Sequence, residues 1–348
     1  MQFLEQVPLA PYTTFQIGGP ARWFAQAENE DDIVAGIAFA TERRLPLFIL
    51  GGGSNLLISD AGFPGLVLRI ALSGITSILQ GDRHVISAAA GEDWDGLVAF
   101  AVSQDCAGIE CLSGIPGTVG GTPVQNVGAY GQEVSQTIVT VRAFDRENSN
   151  FLDLPASACG FSYRRSIFNT TERGRYVVSR VDYALQPHAS AGIAYADLSK
   201  YFAARNVTTP TLAEVREAVR SIRAQKGMLL VDGDPDCRSA GSFFKNPIVP
   251  VTVLDSLARD LGIEKRSIPA YPVEDSEVKL SAAWLIERAG YQKGYALGNA
   301  GISSRHTLAL INRGGATAAE MIALRDKIAS TVAGRFLVRL EPEPVWLG

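Results

Sequence analysis

Histidine and cysteine are scarce in this chain, with three and four among 348 residues. His84, His188 and His306 stand far apart, with no H-x-x-x-H or H-x-E spacing, so no metal site is expected and a metal hydrolase is disfavoured. Cys106, Cys111, Cys159 and Cys237 form no C-x-x-C pair and read as small buried apolar residues rather than ligands or disulfide partners. Basic excess is also missing. Lys and Arg total 32 against 36 Asp and Glu, giving a formal charge of −4, and the cations are scattered rather than clustered, so no nucleic-acid partner is expected. No apolar run reaches the length of a membrane span, and the opening MQFLEQVPLAPYTTF has neither the basic start nor the apolar stretch of a signal peptide. A cytoplasmic chain with no membrane partner is the expectation.

What is present is a 47% hydrophobic composition, enough for a sizeable core and for two or three domains. Asp31 or Asp32 is expected to cap a helix carrying Ile33, Val34, Ile37 and Phe39, followed after Pro46 by a strand, Leu47 to Leu50. From about residue 66 to 190 the pattern predicts β-rich runs (GLVLRI, HVISAAA, TIVTVRAFD, YVVSRVDYAL) around one helix with Trp94, Leu97, Val98 and Ala101, and the class expected is α+β. After the helical TLAEVREAVRSIRAQK comes VDGDPDCRSAGS, whose turn chemistry marks a boundary or an active-site loop. Three more helices are predicted beyond it, capped by Thr252, by Ser281 and by a Thr317–Glu320 box, with Gly262, Gly290 and Gly334 as their stops.

Glycine concentrates in two places. LFILGGGSNLLISD sets Gly51, Gly52, Gly53, Ser54 and Asn55 after an apolar strand, where backbone without side chains can approach a phosphate. GIPGTVGGTPVQNVGAYG, Gly114 to Gly131, interleaves glycine with Thr118, Thr122, Gln125 and Asn126 and collects backbone and side-chain donors. Neither is a dinucleotide fingerprint: Leu56 stands where G-x-G-x-x-G needs its last glycine, and no G-x-x-x-x-G-K-[ST] occurs. Tight turns broken by Pro116 and Pro123 remain the alternative reading of this second stretch. A third stretch, AGSFFKNP (240–247), places Ser242 behind a glycine, but it does not satisfy the G-x-S-x-G of a hydrolase nucleophile.

LGGGSN, GIPGTVGG…QNVGAYG, SYRRSIF, AGSFFKNP, AAWLIERAG and the closing LEPEPVWLG, in this order over essentially the whole chain, resemble the UDP-N-acetylenolpyruvoylglucosamine reductases. The resemblance implies a three-part α+β flavoenzyme with a vanillyl-alcohol-oxidase-type FAD-binding domain and an α/β substrate domain. Its parts would be 1–65 with 335–348 (a first FAD-binding subdomain closed by the C-terminal strand), 66–225 (a second) and 226–334 (substrate-binding). It also implies non-covalent FAD, NADPH as hydride donor, a UDP-sugar substrate and a monomer. The reaction would be reduction of UDP-N-acetylglucosamine enolpyruvate to UDP-N-acetylmuramate for peptidoglycan, with hydride passing from flavin N5 to C3 and a proton reaching C2.

By the same resemblance FAD would lie on Gly51, Gly52, Gly53, Ser54, Asn55, Gly114, Gly117, Thr118, Gly120, Gly121, Asn126, Gly128 and Ala129. Arg164 would bind the substrate carboxylate, a task suited to a planar cation that does not deprotonate. Ser242 would give the proton to C2 as a general acid, and Glu343, rather than Glu341, would stabilise the enolate-like intermediate, burial raising its pKa so that it can donate. Tyr195 in IAYADLSKYF would cover the substrate, Lys245 and Asn246 would reach its diphosphate or sugar, and Lys226 in RAQKGM would be a further substrate-side lysine. A flavin oxidase of the same fold and a non-catalytic flavin or UDP-sugar sensor are the competing readings. No histidine in either glycine loop argues against the covalent flavin frequent in such oxidases, and the presence of Arg164, Ser242 and Glu343 argues against the sensor.

Overall fold

A computed structural model describes residues 1–274 and 276–348. The chain divides into two compact units: residues 1–7, 20–53 and 63–225 form one, and residues 8–19, 54–62 and 226–348 the other.

In the first unit, helix α1 (Glu30–Glu42) is capped not by Asp31 or Asp32 but by Asn29, whose side chain accepts from the Asp32 N–H. Asn29 is the last extended residue before the helix, whereas Asp31 and Asp32 already lie in its first turn, where their charge favours the N-terminal end. The strands flanking α1, Pro20–Ala27 and Leu47–Leu50, both run parallel to Phe63–Ile70 between them. A second sheet is antiparallel, in the order Asn150–Pro155, Ile138–Asp145, Tyr176–Pro187, Arg83–Ala89, Ile75–Gln80. One core joins the two sheets and helix α2 (Trp94–Ser103), with Leu66 and Leu68 from the parallel sheet, Ile86, Val141 and Tyr183 from the antiparallel one, and Trp94 and Leu97 from α2. Residues on both sides of position 65 share this core. Arg142, on the antiparallel sheet, grips Glu30 of α1 through two hydrogen bonds of 2.7 and 3.0 Å.

Helices α3 (Ala196–Ala203) and α4 (Leu212–Gln225) close the unit. Val215, Val219 and Ile222 repeat at helical spacing on α4 and pack with Leu198, Phe202, Cys111 and Tyr130.

The second unit is built on helices α5 (Val253–Leu261), α6 (Ala282–Arg288) and α7 (Ala318–Phe336) around Phe15, Phe243, Phe244, Leu285, Leu310, Leu324 and Ile328. The C-terminal strand Val345–Leu347 lies parallel to Leu56–Ile58, and both segments fall in this unit together with residues 226–334. Ser281 caps α6 by accepting from Trp284 N–H, and Thr317 with Glu320 forms the reciprocal box at α7. Thr252 precedes α5 with helical backbone angles, and its side chain makes no capping bond. Gly262 ends α5 in the left-handed conformation, and Gly290 follows the last turn of α6 at φ +103°. Gly334 does not stop α7. The helix continues to bury Phe336, and Leu337 takes the left-handed position instead.

All four cysteines are free and buried. Burial pushes the Cys111 thiol up to about 12, with the Glu110 charge adding to it, and Cys159 up to about 11, which leaves both inert near neutral pH. Among the described residues, no helix is long and apolar enough to cross a membrane.

Candidate functional site

The two glycine stretches meet inside the first unit. A Cβ on Gly52 would stand 2.6 Å from Gly117 Cα and 2.9 Å from Gly117 C, so the two backbones cross at a separation that only glycine permits. A Cβ on Gly51 would fall 2.9 Å from Thr118 Oγ1. That hydroxyl oxygen is buried and has no hydrogen-bond partner among the described residues. The rest of the second loop is tied to the protein: Gly114 N–H donates to Asp95 Oδ1 at 2.6 Å, Val119 N–H to Glu92 O at 2.9 Å, Gly120 N–H to Ala90 O at 2.9 Å and Gly121 N–H to Thr118 O at 3.0 Å. Gly114, Gly120 and Gly121, expected as donors, therefore spend their N–H groups internally and contribute shape.

Asn126 is similarly committed. It is buried at φ +43°, donates to Glu133 Oε2 (2.9 Å) and Ser162 O (3.0 Å), and accepts from Ser135 N–H (3.1 Å). Its amide braces the loop that carries Gly128 and Ala129. These two pair antiparallel with Gln132 and Glu133 in a tight hairpin. Arg164 Nη2 donates to Gly128 O at 2.8 Å, which docks the guanidinium on this hairpin. Arg164 has φ +56° and Tyr130 has φ +50°, a left-handed conformation costing about 1–3 kcal/mol at a non-glycine residue and common where a site dictates the backbone. Arg165 is exposed, so the structure separates the two neighbouring arginines. Tyr195 stands at the start of α3, 43% exposed, with its ring edge-on to Tyr130 at 5.4 Å.

The second unit gathers another set. Phe244 forms an isolated antiparallel bridge with Pro342, and backbone bonds flank it: Phe243 N–H donates to Leu308 O (2.8 Å), Glu343 N–H to Phe243 O (2.8 Å) and Lys245 N–H to Glu341 O (2.9 Å). Buried Phe243 and Phe244 anchor this segment, leaving Ser242 half-buried after Gly241, whose φ is +71°. Glu343 is thereby held beside the residue that follows Ser242, while exposed Glu341 pairs with Lys245 Nζ at 3.0 Å. Asn55 Nδ2 donates to Glu343 O at 3.1 Å and Asn55 O accepts from Val345 N–H, so Asn55, expected at the flavin, is tied to the C-terminal segment. Ser54 O accepts from Thr14 Oγ1. Asn246 Oδ1 holds Ala282 N–H at the start of α6 (2.9 Å), which leaves its amide N–H groups as what it can offer a ligand. Lys226, half-buried, follows the last turn of α4 in sequence.

Sequence reasoning passed over two clusters. On α4, Arg216, Arg220 and Arg223 stand at i, i+4 and i+7, one stripe of the helix, and Arg216 and Arg220 both hold Asp95. That spacing was available as a signal. In VDGDPDC, Asp236 is buried and accepts from Ser303 Oγ (3.0 Å) and Ser304 Oγ (2.7 Å), while Asp234 takes Arg305 Nη2 at 2.5 Å. Burial opposes ionisation of Asp234, but Arg305 outweighs it and holds the carboxyl below its usual value. Nothing local in the sequence marks these partners.

The backbone crossing at Gly52 and Gly117, with an orphaned buried hydroxyl at Thr118, fits a group that presents polar oxygens to a surface bare of side chains. Gly51, Gly52, Gly53, Gly117 and Thr118 are the residues that would hold it. A family model described as an FAD binding domain matches residues 21–153, which span this crossing. The chain thus carries an FAD-binding domain within an α+β fold. A second model, the C-terminal domain of UDP-N-acetylenolpyruvoylglucosamine reductase, matches residues 234–347, including Ser242 and Glu343. The UDP-N-acetylenolpyruvoylglucosamine reductase of Thermobifida fusca is 46% identical over 352 residues, covering 99% of this chain and 98% of its own, and that of Streptomyces avermitilis is 44% identical, covering 100% and 96%. The crystal structure of the corresponding reductase from Thermus caldophilus superposes with a TM-score of 0.66 at 26% identity, covering 100% of this chain and 98% of its own. The chain belongs to the UDP-N-acetylenolpyruvoylglucosamine reductase family.

Proposed function

We propose that this protein reduces UDP-N-acetylglucosamine enolpyruvate to UDP-N-acetylmuramate with NADPH, as a cytoplasmic monomer in peptidoglycan precursor synthesis. The observation that carries this reading is the backbone pairing that sets Glu343 beside the Ser242–Phe243 segment, in a chain aligned end to end with reductases of this name.

FAD, when bound, supplies the two-electron relay between NADPH and the enolpyruvyl double bond. The protein must then orient the substrate and manage charge and proton. Arg164, restrained by Gly128 O, presents a guanidinium that does not deprotonate to the substrate carboxylate, where electron density accumulates once C3 has been reduced. Ser242 gives its proton to C2, and water returns a proton to the serine oxygen so that the hydroxyl is restored. Glu343, held by its own N–H on Phe243 O and through its carbonyl by Asn55, directs its carboxyl group to the same developing charge. Lys245, whose exposed pair with Glu341 is worth little in water, exchanges that partner for the substrate diphosphate. The amide N–H groups of Asn246 serve the same end, Lys226 is a further lysine on the substrate side, and Tyr195 covers the bound substrate.

The test separates the half-reactions by anaerobic stopped-flow absorbance. Ser242→Ala should bleach with NADPH at a rate within about twofold of wild type, while reoxidation by the enolpyruvyl substrate slows by about 10²–10⁴, the range for removal of a general acid. Equal slowing of both half-reactions would remove Ser242 from the proton-donor role. With oxygenated buffer mixed in place of the substrate, rapid reoxidation by oxygen beside none by the substrate would replace the reductase reading with an oxidase.

A further inference from the structure

Gly114 opens the second glycine loop at φ +70° and is held from outside the loop at both ends of its backbone. Its N–H donates to Asp95 Oδ1 at 2.6 Å, and its carbonyl accepts from Arg223 Nε at 3.0 Å. Asp95 sits in the first turn of α2, and Arg223 in the last turn of α4. Asp95 reaches α4 as well: Arg216 engages it with both terminal nitrogens, at 2.5 and 2.9 Å, and Arg220 adds a third bond. The fork of Arg216 on a carboxylate fixes direction as well as distance. Helix α4 is itself anchored by the buried Val215, Val219 and Ile222. Three residues beyond Gly114 stands Gly117, the point where Gly52 crosses, with the stiff Pro116 between them.

We propose that Asp95 is a positioning residue for the FAD loop, relaying the fixed position of α4, through Arg216 and Arg220, to the Gly114 peptide and so to the Gly52–Gly117 crossing. The carboxylate does two jobs with two oxygens: Oδ1 orients the loop peptide, and the guanidinium grip on both oxygens keeps Oδ1 in place. Without Asp95 the loop loses its hold on the N–H side, and Arg216 and Arg220 lose the carboxylate they share. Without Arg216 the carboxylate remains but swings. The relay therefore predicts that the two residues act in series rather than independently.

The experiment measures FAD affinity of the apoprotein by quenching of flavin fluorescence, with visible circular dichroism of the bound flavin, for wild type, Asp95→Ala, Asp95→Asn, Arg216→Ala and the Asp95→Ala/Arg216→Ala double variant. Far-ultraviolet dichroism and a thermal melt of each apoprotein check folding. Asp95→Ala is expected to weaken FAD by about 10–100-fold and to change the flavin dichroism. Asp95→Asn and Arg216→Ala should each lose less, and the double variant should lie within about threefold of Asp95→Ala. An Asp95→Ala affinity within twofold of wild type, with only the melting temperature lowered, would reduce Asp95 to a general stabiliser and overturn the relay. Losses that multiply in the double variant would overturn it as well. Should Asp95→Ala not fold, Arg216→Ala decides alone, since unchanged affinity there removes the upstream half of the relay. Wild-type binding of FAD tests the flavoprotein assignment, and the ratios between variants test the relay, so the two cannot fail unnoticed together.

Discussion

The glycine crossing of the first unit and the Ser242 segment of the second are organised by different means. At the crossing, backbone faces backbone: Gly52 meets Gly117 with no side chain between, and Trp94, Val119 and Gly120 stitch the loop through main-chain bonds. Around Ser242 the backbone is held by one isolated bridge, Phe244 to Pro342, and by the Phe243 N–H on Leu308 O, and the preceding loop is held by side chains, with Asp236 on Ser303 and Ser304 and Asp234 on Arg305. A site built from backbone tolerates almost no added atom, whereas one built from side chains loses energy in proportion to the group removed. The two should answer to mutation differently.

Gly52→Ala is the hardest test of the first kind. The new Cβ meets Gly117 Cα at 2.6 Å, and that atom cannot rotate aside as the end of a flexible side chain would. One crossing strand must move, and the expected result is FAD binding weakened by more than about 100-fold, roughly 3 kcal/mol or more, or no soluble holoprotein. Titration with FAD checks this. Affinity close to wild type would mean that the two loops separate easily and that the crossing does not define the cofactor surface.

Asp236→Ala tests the second kind. It strips a buried carboxylate from two serine hydroxyls and the Ser304 N–H and takes a neighbour from Arg305, while no atom is forced into occupied space. A loss of about 2–4 kcal/mol in stability is expected, with the second unit the first to unfold in denaturant. Ser304→Ala should cost about 1 kcal/mol. Near-equal effects of the two substitutions would show that the loop leans on one hydrogen bond rather than on the buried charge.

The same contrast explains what could be read in advance. Glycine spacing after an apolar strand is a local signal, and it marked Gly51 to Gly53 and the 114–131 stretch because close backbone approach admits little else. Arg164 could be told from Arg165 only through the register of SYRRSIF, and in the fold the two differ in exposure and in the bond to Gly128. What stayed hidden was partnership over distance. Asp95 and Arg216 are 121 positions apart and Asn55 and Glu343 are 288 apart, and no window of sequence links them. For that reason Gly114, Gly120 and Asn126 read in the sequence as donors awaiting a ligand, although Gly114 N–H is bound to Asp95, Gly120 N–H to Ala90 and the Asn126 amide to Ser162.

Gly334 is the counterpart to Gly52 and carries the smallest expected effect. The sequence pattern predicts it as the stop of α7, which would require a left-handed backbone there, but the helix runs on to Phe336 and no positive φ occurs at 334. A Cβ at this position meets nothing within 4 Å. Alanine there avoids the extra backbone entropy that glycine loses on folding, so Gly334→Ala should stabilise the protein by about 0.5–1 kcal/mol and raise the melting temperature slightly, with FAD affinity unchanged. Differential scanning calorimetry with an FAD titration measures both. Destabilisation would show that the last turn of α7 needs glycine after all, and that Leu337 holds the left-handed position only because residue 334 can yield; an increase in stability sets Gly334 apart from Gly52 as a glycine whose identity the fold does not require.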